Sequence, residues 1–143
     1  MSSYREAGGL TWRYSADITV DARSWVSGAI DVQVAIPTDL DVFWDKINQT
    51  DARDVRCVGA DGLTKATYDI IKTGGSAIDS GAISTRDGTL RIHNWTPPAA
   101  AMCRLTVWWG QSSATSGTGS VGAFAAPYTG YIAVAPPALT YAG

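Results

Sequence analysis

Helix-building residues are scarce in this chain of 143 residues: glutamate occurs once, at Glu6, and no long stretch of Ala, Leu, Glu and Lys is present. That scarcity removes the material of helical bundles. Charge is thin as well, at 17% of residues with a formal net of −2, and the Lys and Arg are scattered singly. Without a basic stripe nothing neutralises phosphates, so neither nucleic acid nor a membrane surface is expected as a partner. No apolar run approaches the ~20 residues that span a bilayer. The opening Met1-Ser2-Ser3-Tyr4-Arg5-Glu6 lacks a charged region followed by an apolar one, so synthesis in the cytoplasm without a signal peptide is expected.

Reactive side chains are equally few. The single histidine, His93, alternates outward between Ile92 and Asn94, and no G-x-S-x-G elbow exists, so a hydrolytic triad is not expected. One His and two distant cysteines, Cys57 and Cys103, cannot build a zinc site, and they are too few for a disulfide scaffold. By strand parity both thiols face inward, as buried free cysteines or, in an oxidising medium, as a bonded pair. Asp39, Asp41 and Asp45 lie close together but lack the glycine-containing loop of a calcium site, and helix capping accounts for them. No strand carries the alternating carboxylate pair that a β-sandwich glycosidase uses. Gly117, Gly119 and Gly122 spell G-x-G-x-x-G inside a Ser/Thr-rich tract with no βαβ unit around it, which empties the match of meaning. Neither a cofactor nor catalysis is expected.

What is present reads as β structure. Six Trp and six Tyr stand against two Phe, and 45% of residues are hydrophobic, enough for one domain with a real core. From Trp12 to Val20 apolar and polar residues alternate, predicting a half-buried strand with Trp12, Tyr14, Ala16, Ile18 and Val20 on one face. Ile30 to Ile36 repeats the pattern until Pro37 stops it. Leu40, Phe43, Trp44 and Ile47 fall at helical spacing behind Thr38 or Asp39 as N-cap, predicting one short helix over an end of the core. Further strands are predicted at Asp54 to Val58, Lys65 to Ile71, Ala77 to Ser84, Thr89 to Trp95 and Met102 to Trp109, with Asp61-Gly62, Gly74-Gly75 and Asp87-Gly88 as turns. The expected fold is a single all-β, antiparallel β-sandwich over residues 1–110. Its core should include Ile18, Val32, Val34, Val55, Tyr68, Ile92, Leu105 and Val107, with Arg13, Asp17, Gln33, Arg56, Arg91 and Arg104 at least partly exposed.

From Gln111 onward the chain has no Asp, Glu, Lys or Arg. Residues 111–122 read as a flexible Ser/Gly linker. Residues 123–143 are too apolar for a solvated tail and too rich in proline for a helix. Two readings stay open: an extended arm that docks on a neighbour through Phe124, Tyr128, Tyr131, Ile132, Leu139 and Tyr141, or a last strand of the same sandwich at Tyr131 to Ala135. Trp25, Trp95 and Trp108 fall on loop or outward positions and are candidate contact residues, Trp25 and Trp108 above all. The alternative for Trp95 and Trp108 is a second apolar layer.

Taken in order, Trp12-Arg13-Tyr14, the Asp31 to Pro37 strand, Asp54-Val55-Arg56-Cys57-Val58 leading to Ala60-Asp61-Gly62, then Tyr68 and finally Leu105 to Gly110 resemble a known family. It is a β-sandwich domain of unknown function, whose signature is an Asp-Ile/Val-Arg strand, an Asp-Gly turn and a closing aromatic-aromatic-Gly. The resemblance covers Trp12 to Gly110. It implies a lectin-like jelly-roll sandwich without established catalytic residues, found in bacterial surface and secreted proteins and in phage virions. A free-standing copy with an apolar arm looks like a tailed-phage virion component, a capsid decoration (cement) protein. Its implied partners are the major capsid protein or other virion subunits and further copies of itself, as a trimer for example. A carbohydrate-binding or adhesive module using exposed Trp is the alternative.

Overall fold

The computed structural model describes residues 3–6, 8–47, 49–115, 132–133 and 139–141. Strands β1 (Tyr4–Arg5) and β2 (Thr11–Trp12) form a small antiparallel flap. The main sheet contains β3 (Tyr14–Asp21), β4 (Ile30–Ala35), β5 (Arg56–Gly59), β6 (Lys65–Ile71), β7 (Thr89–Trp95), β8 (Met102–Trp109), β9 (Ile132–Ala133) and β10 (Leu139–Tyr141). Its strand order is β10-β3-β8-β5-β6-β7-β4, with β9 also on β3 and every pairing antiparallel. The sheet curls on itself, giving the sandwich-like all-β fold that the alternation predicts.

Alternation places one row of each strand inside. Ala16, Ile18 and Val20 of β3, with Cys103, Leu105 and Val107 of β8, face Val32 and Val34 of β4, Tyr68 and Ile70 of β6, and Leu90 and Ile92 of β7. All eight residues expected in the core are buried there. Helix α1 (Asp41–Lys46) closes one end: Phe43 packs edge-on against Trp109 at 5.3 Å, and the Trp109 indole N–H donates to the Val42 carbonyl. The expected cap at Thr38 or Asp39 is replaced by Leu40, with no side-chain hydrogen bond, because packing of Phe43 and Trp44 sets where this helix begins.

The segment read as a strand at Ala77 to Ser84 is instead mostly a second helix, α2 (Ser80–Thr85). Asp79 is its N-cap, accepting from the Ala82 N–H at 2.8 Å, and Arg86 ends it in the left-handed region at φ 58°. A capping aspartate decides over weak alternation. The described residues therefore hold two short helices, not the expected one.

Three further positions depart from expectation. The strand breaks at Arg13, so Trp12 leaves the row of Tyr14 and Ala16 and turns to the opposite layer. There Tyr4, Trp12, Val58, Trp108 and Ala114 form a second apolar cluster between the flap and the outer face of β5 and β8. Arg56, expected to be exposed, is buried beneath the flap with its guanidinium 4.6 Å from the Trp12 ring. It donates to Glu6 at 2.9 Å and to the carbonyls of Arg53 and Val55, which satisfies the charge. Asp31, placed outward by parity, is likewise buried.

Past Gly110 the chain stays attached to the body. Gln111 donates to the Thr11 carbonyl at 2.8 Å, Ser112 accepts from Gln49, and Ala114 is buried in the flap cluster. Phe124, Tyr128 and Tyr131 lie outside the described residues. For Ile132, Leu139 and Tyr141 the description is of backbone pairing: β9 joins β3 at Val20 and Asp21, and β10 joins it at Ala16 to Ile18.

Candidate functional site

With α1 sealing one end of the sandwich, no helix among the described residues covers the loops of the other end. Register fixes which loops these are. Asp21 pairs with Met102, so loop 22–29 lies beside the start of β8. Gly59 pairs with Leu105, which carries the β5–β6 turn toward the same end. Ile30 pairs with Trp95, bringing loop 96–101 there too. The three large apolar side chains that stand exposed on the described surface all belong to this end: Val26 at 87%, Leu63 at 80% and Met102 at 48%.

Local hydrogen bonding shapes the loops that carry two of them, Leu63 and Val26. Asp61 accepts from the N–H groups of Leu63 and Thr64, both at 2.9 Å, and from the Thr64 hydroxyl, while Gly62 supplies φ +74°. The bonds from Thr64 and Leu63 hold the Asp61 carboxyl down at about 2, so it stays charged and committed to the turn. In loop 22–29 the Trp25 indole N–H donates to the Gly28 carbonyl at 2.9 Å and the ring packs on the core. Trp25 is thus an anchor whose neighbour Val26 does the projecting.

Between the β5–β6 turn and the end of β7 lies a groove of about 320 Å³, walled by Asp61, Lys65, Asn94, Thr96 and Arg104 over Ala66, Trp95 and Pro98. A smaller hollow of about 100 Å³ on the outer face shares Gly59, Ala60 and Arg104 with it. Asn94 reaches the groove through a β-bulge. Opposite it, β4 pairs Ile30 with Trp95 but Val32 with Ile92, so Asp31 alone faces both His93 and Asn94. Asp31 Oδ1 lies 2.8 Å from His93 Nδ1 and accepts from the Asn94 N–H at 3.0 Å, fixing Asn94 at φ 58°. Asp31 Oδ2 is buried with no hydrogen-bond partner among the described residues. His93, read as a plain surface residue, is in fact half-buried and tied to this carboxylate.

Of the candidate tryptophans, Trp108 and Trp95 are buried, at 1% and 7% exposure, so neither offers a ring face to a partner. The flap covers Trp108, and its indole N–H has no partner among the described residues. Cys57 and Cys103 are both buried and form no disulfide, and burial pushes the Cys57 thiol far up. Sequence reasoning missed Val26, Leu63 and Met102. The one available signal was an apolar residue directly after an Asp-Gly turn, at Leu63. Among the described residues no group of His, Cys, Asp and Glu could hold a metal, and no helix is long and apolar enough to cross a membrane. No protein family, curated protein or solved structure matches the chain.

Proposed function

We propose that this chain is a non-enzymatic structural protein that works by surface contact: a capsid decoration (cement) protein of a tailed-phage virion, binding shell subunits together. The observation that supports the reading is the end without a described helix, where Val26, Leu63 and Met102 project from separate segments while the opposite end is sealed by α1. Burying three such side chains is worth roughly 1.5 to 3 kcal/mol each. Association costs about 4 kcal/mol or more, so a single copy would bind weakly. Several copies joined as a homo-oligomer would bind far more tightly, because each further contact becomes intramolecular. The uncharged segment 123–143 adds Phe124, Tyr128, Tyr131, Ile132, Leu139 and Tyr141 as contact residues within the same reading.

The test is co-sedimentation with shells assembled from the major capsid protein that this reading names as the partner. Saturable, stoichiometric binding is expected, and Val26→Asp, Leu63→Asp and Met102→Asp should each lower occupancy without changing the melting temperature. A folded protein that leaves the shells bare at saturating concentration refutes the proposal.

A further inference from the structure

The groove beside the β5–β6 turn has a chemical character of its own, separate from shell contact. Most arginines of this protein already face a carboxylate: Arg23 with Asp21, Arg53 with Asp51, Arg56 with Glu6, Arg86 with Asp41, and Arg91 with Asp69. Arg104 does not. It is exposed, lines both the groove and the adjoining hollow, and forms no ion pair or hydrogen bond among the described residues. Its guanidinium presents a planar fork that matches a carboxylate. Lys65 stands on the same groove with its side chain 55% exposed, and its contact with Glu6 at 3.0 Å leaves further ammonium hydrogens to give. Asp61, the acid on the rim, is committed to its turn.

The remaining wall groups both donate and accept: the Asn94 amide and the Thr96 hydroxyl, each exposed. Such groups suit the hydroxyls of a sugar. Ala66, Trp95 and Pro98 give an apolar floor, and the volume falls at the lower limit of small-ligand sites. A peptide is less well served. Extended peptides add to a free sheet edge, yet β5, β6, β7 and β8 are each paired on both sides. The bulge gives a further reason: Asn94 is held in the left-handed region at the groove by a buried carboxylate, and strain of that kind gathers at binding sites.

We propose that this groove is a binding site for an acidic saccharide, with the sugar carboxylate on Arg104 and Lys65, its hydroxyls on Asn94 and Thr96, and its C–H face on the exposed Pro98.

The experiment is a ¹H–¹⁵N NMR titration of the full chain with a galacturonic acid trimer, and in parallel with the neutral galactose trimer. Saturable shifts confined to the Asn94 amide, the Trp95 indole and residues 60–66 are expected with the acidic sugar alone. Arg104→Gln should weaken that binding on the order of tenfold, and Lys65→Gln by less, since Arg104 is the group without a carboxylate of its own. Both positions are exposed, and unchanged thermal melts would show that the variants fold. Any of four results overturns the proposal: no saturable shift with galacturonate, glucuronate or sialyl trimers; equal binding of the neutral sugar; the same shifts from inorganic phosphate at the same concentration; or tighter binding of oligoglutamate. None of these readouts involves shells, so the decoration reading stands or falls separately.

Discussion

Removing the Arg56 guanidinium should open the N-terminal flap. Arg56 is the deepest cation of its ion-pair network, with its side chain only 7% exposed against 16% for Glu6 and 55% for Lys65. Arg56→Ala deletes the bond to Glu6, two bonds to the carbonyls of Arg53 and Val55, and the cover over Trp12. Breaking a buried pair from one side costs about 3 to 5 kcal/mol. For a domain of this size that lowers the melting temperature on the order of 10 °C. Lys65→Ala removes only an exposed partner and should cost under about 1 kcal/mol. Thermal melts of both variants, with tryptophan emission as a second probe, make the comparison. A red shift on Arg56→Ala is expected as Trp12 and Trp108 meet water. The effect should also depend on pH. Burial alone would raise the Glu6 carboxyl, but bonds and charge from Arg56 and Lys65 outweigh it and hold it below its ordinary value. A lowered folded-state value stabilises the fold above the ordinary carboxylate range and is lost as pH falls through the folded value. The wild type should therefore lose flap stability below about pH 4, while Arg56→Ala loses less over the same interval. Equal costs for the Arg56 and Lys65 variants, with no change in emission, would refute the reasoning.

Gly110→Ala should destabilise by about 1 to 3 kcal/mol, since Gly110 sits at φ +89° and an added Cβ would lie 2.7 Å from the Tyr14 ring; a denaturant melt measures it. Both thiols should resist a thiol reagent at pH 8 until the protein is unfolded, because Cys57 and Cys103 are buried and burial disfavours the Cys57 thiolate. Asp31→Asn should cost about 1.5 to 3 kcal/mol and shift the Asn94 amide resonance, because Asp31 Oδ1 is what pins the bulge; an unmoved Asn94 signal would count against that role. Asp79→Ala should remove about 1 kcal/mol by uncapping α2, read in the same chemical melts.

The core rows were legible in the sequence because period-two alternation needs no partner to be read. Ile18, Val32, Leu105 and Val107 face inward wherever their strands pair. Trp12 and Arg56 were not legible, since their burial depends on a flap folding across the outer face of two strands, one about 50 and the other about 100 residues away in sequence. Alternation assigns a face; only the tertiary structure says whether that face is covered. The same limit hid the candidate site. Lys65, Asn94 and Arg104 come from three strands, and nothing in their spacing places them around one groove. Asn94 points there only because Asp31, on a fourth strand, forces a bulge. The sequence by itself determined that the chain is all-β, with these inward rows and these turns, because local periodicity and turn chemistry carry that information. The curl of the sheet, the closed flap and the groove at the end opposite α1 were decided by long-range pairing, which brings charges and rings together in ways that no local pattern records.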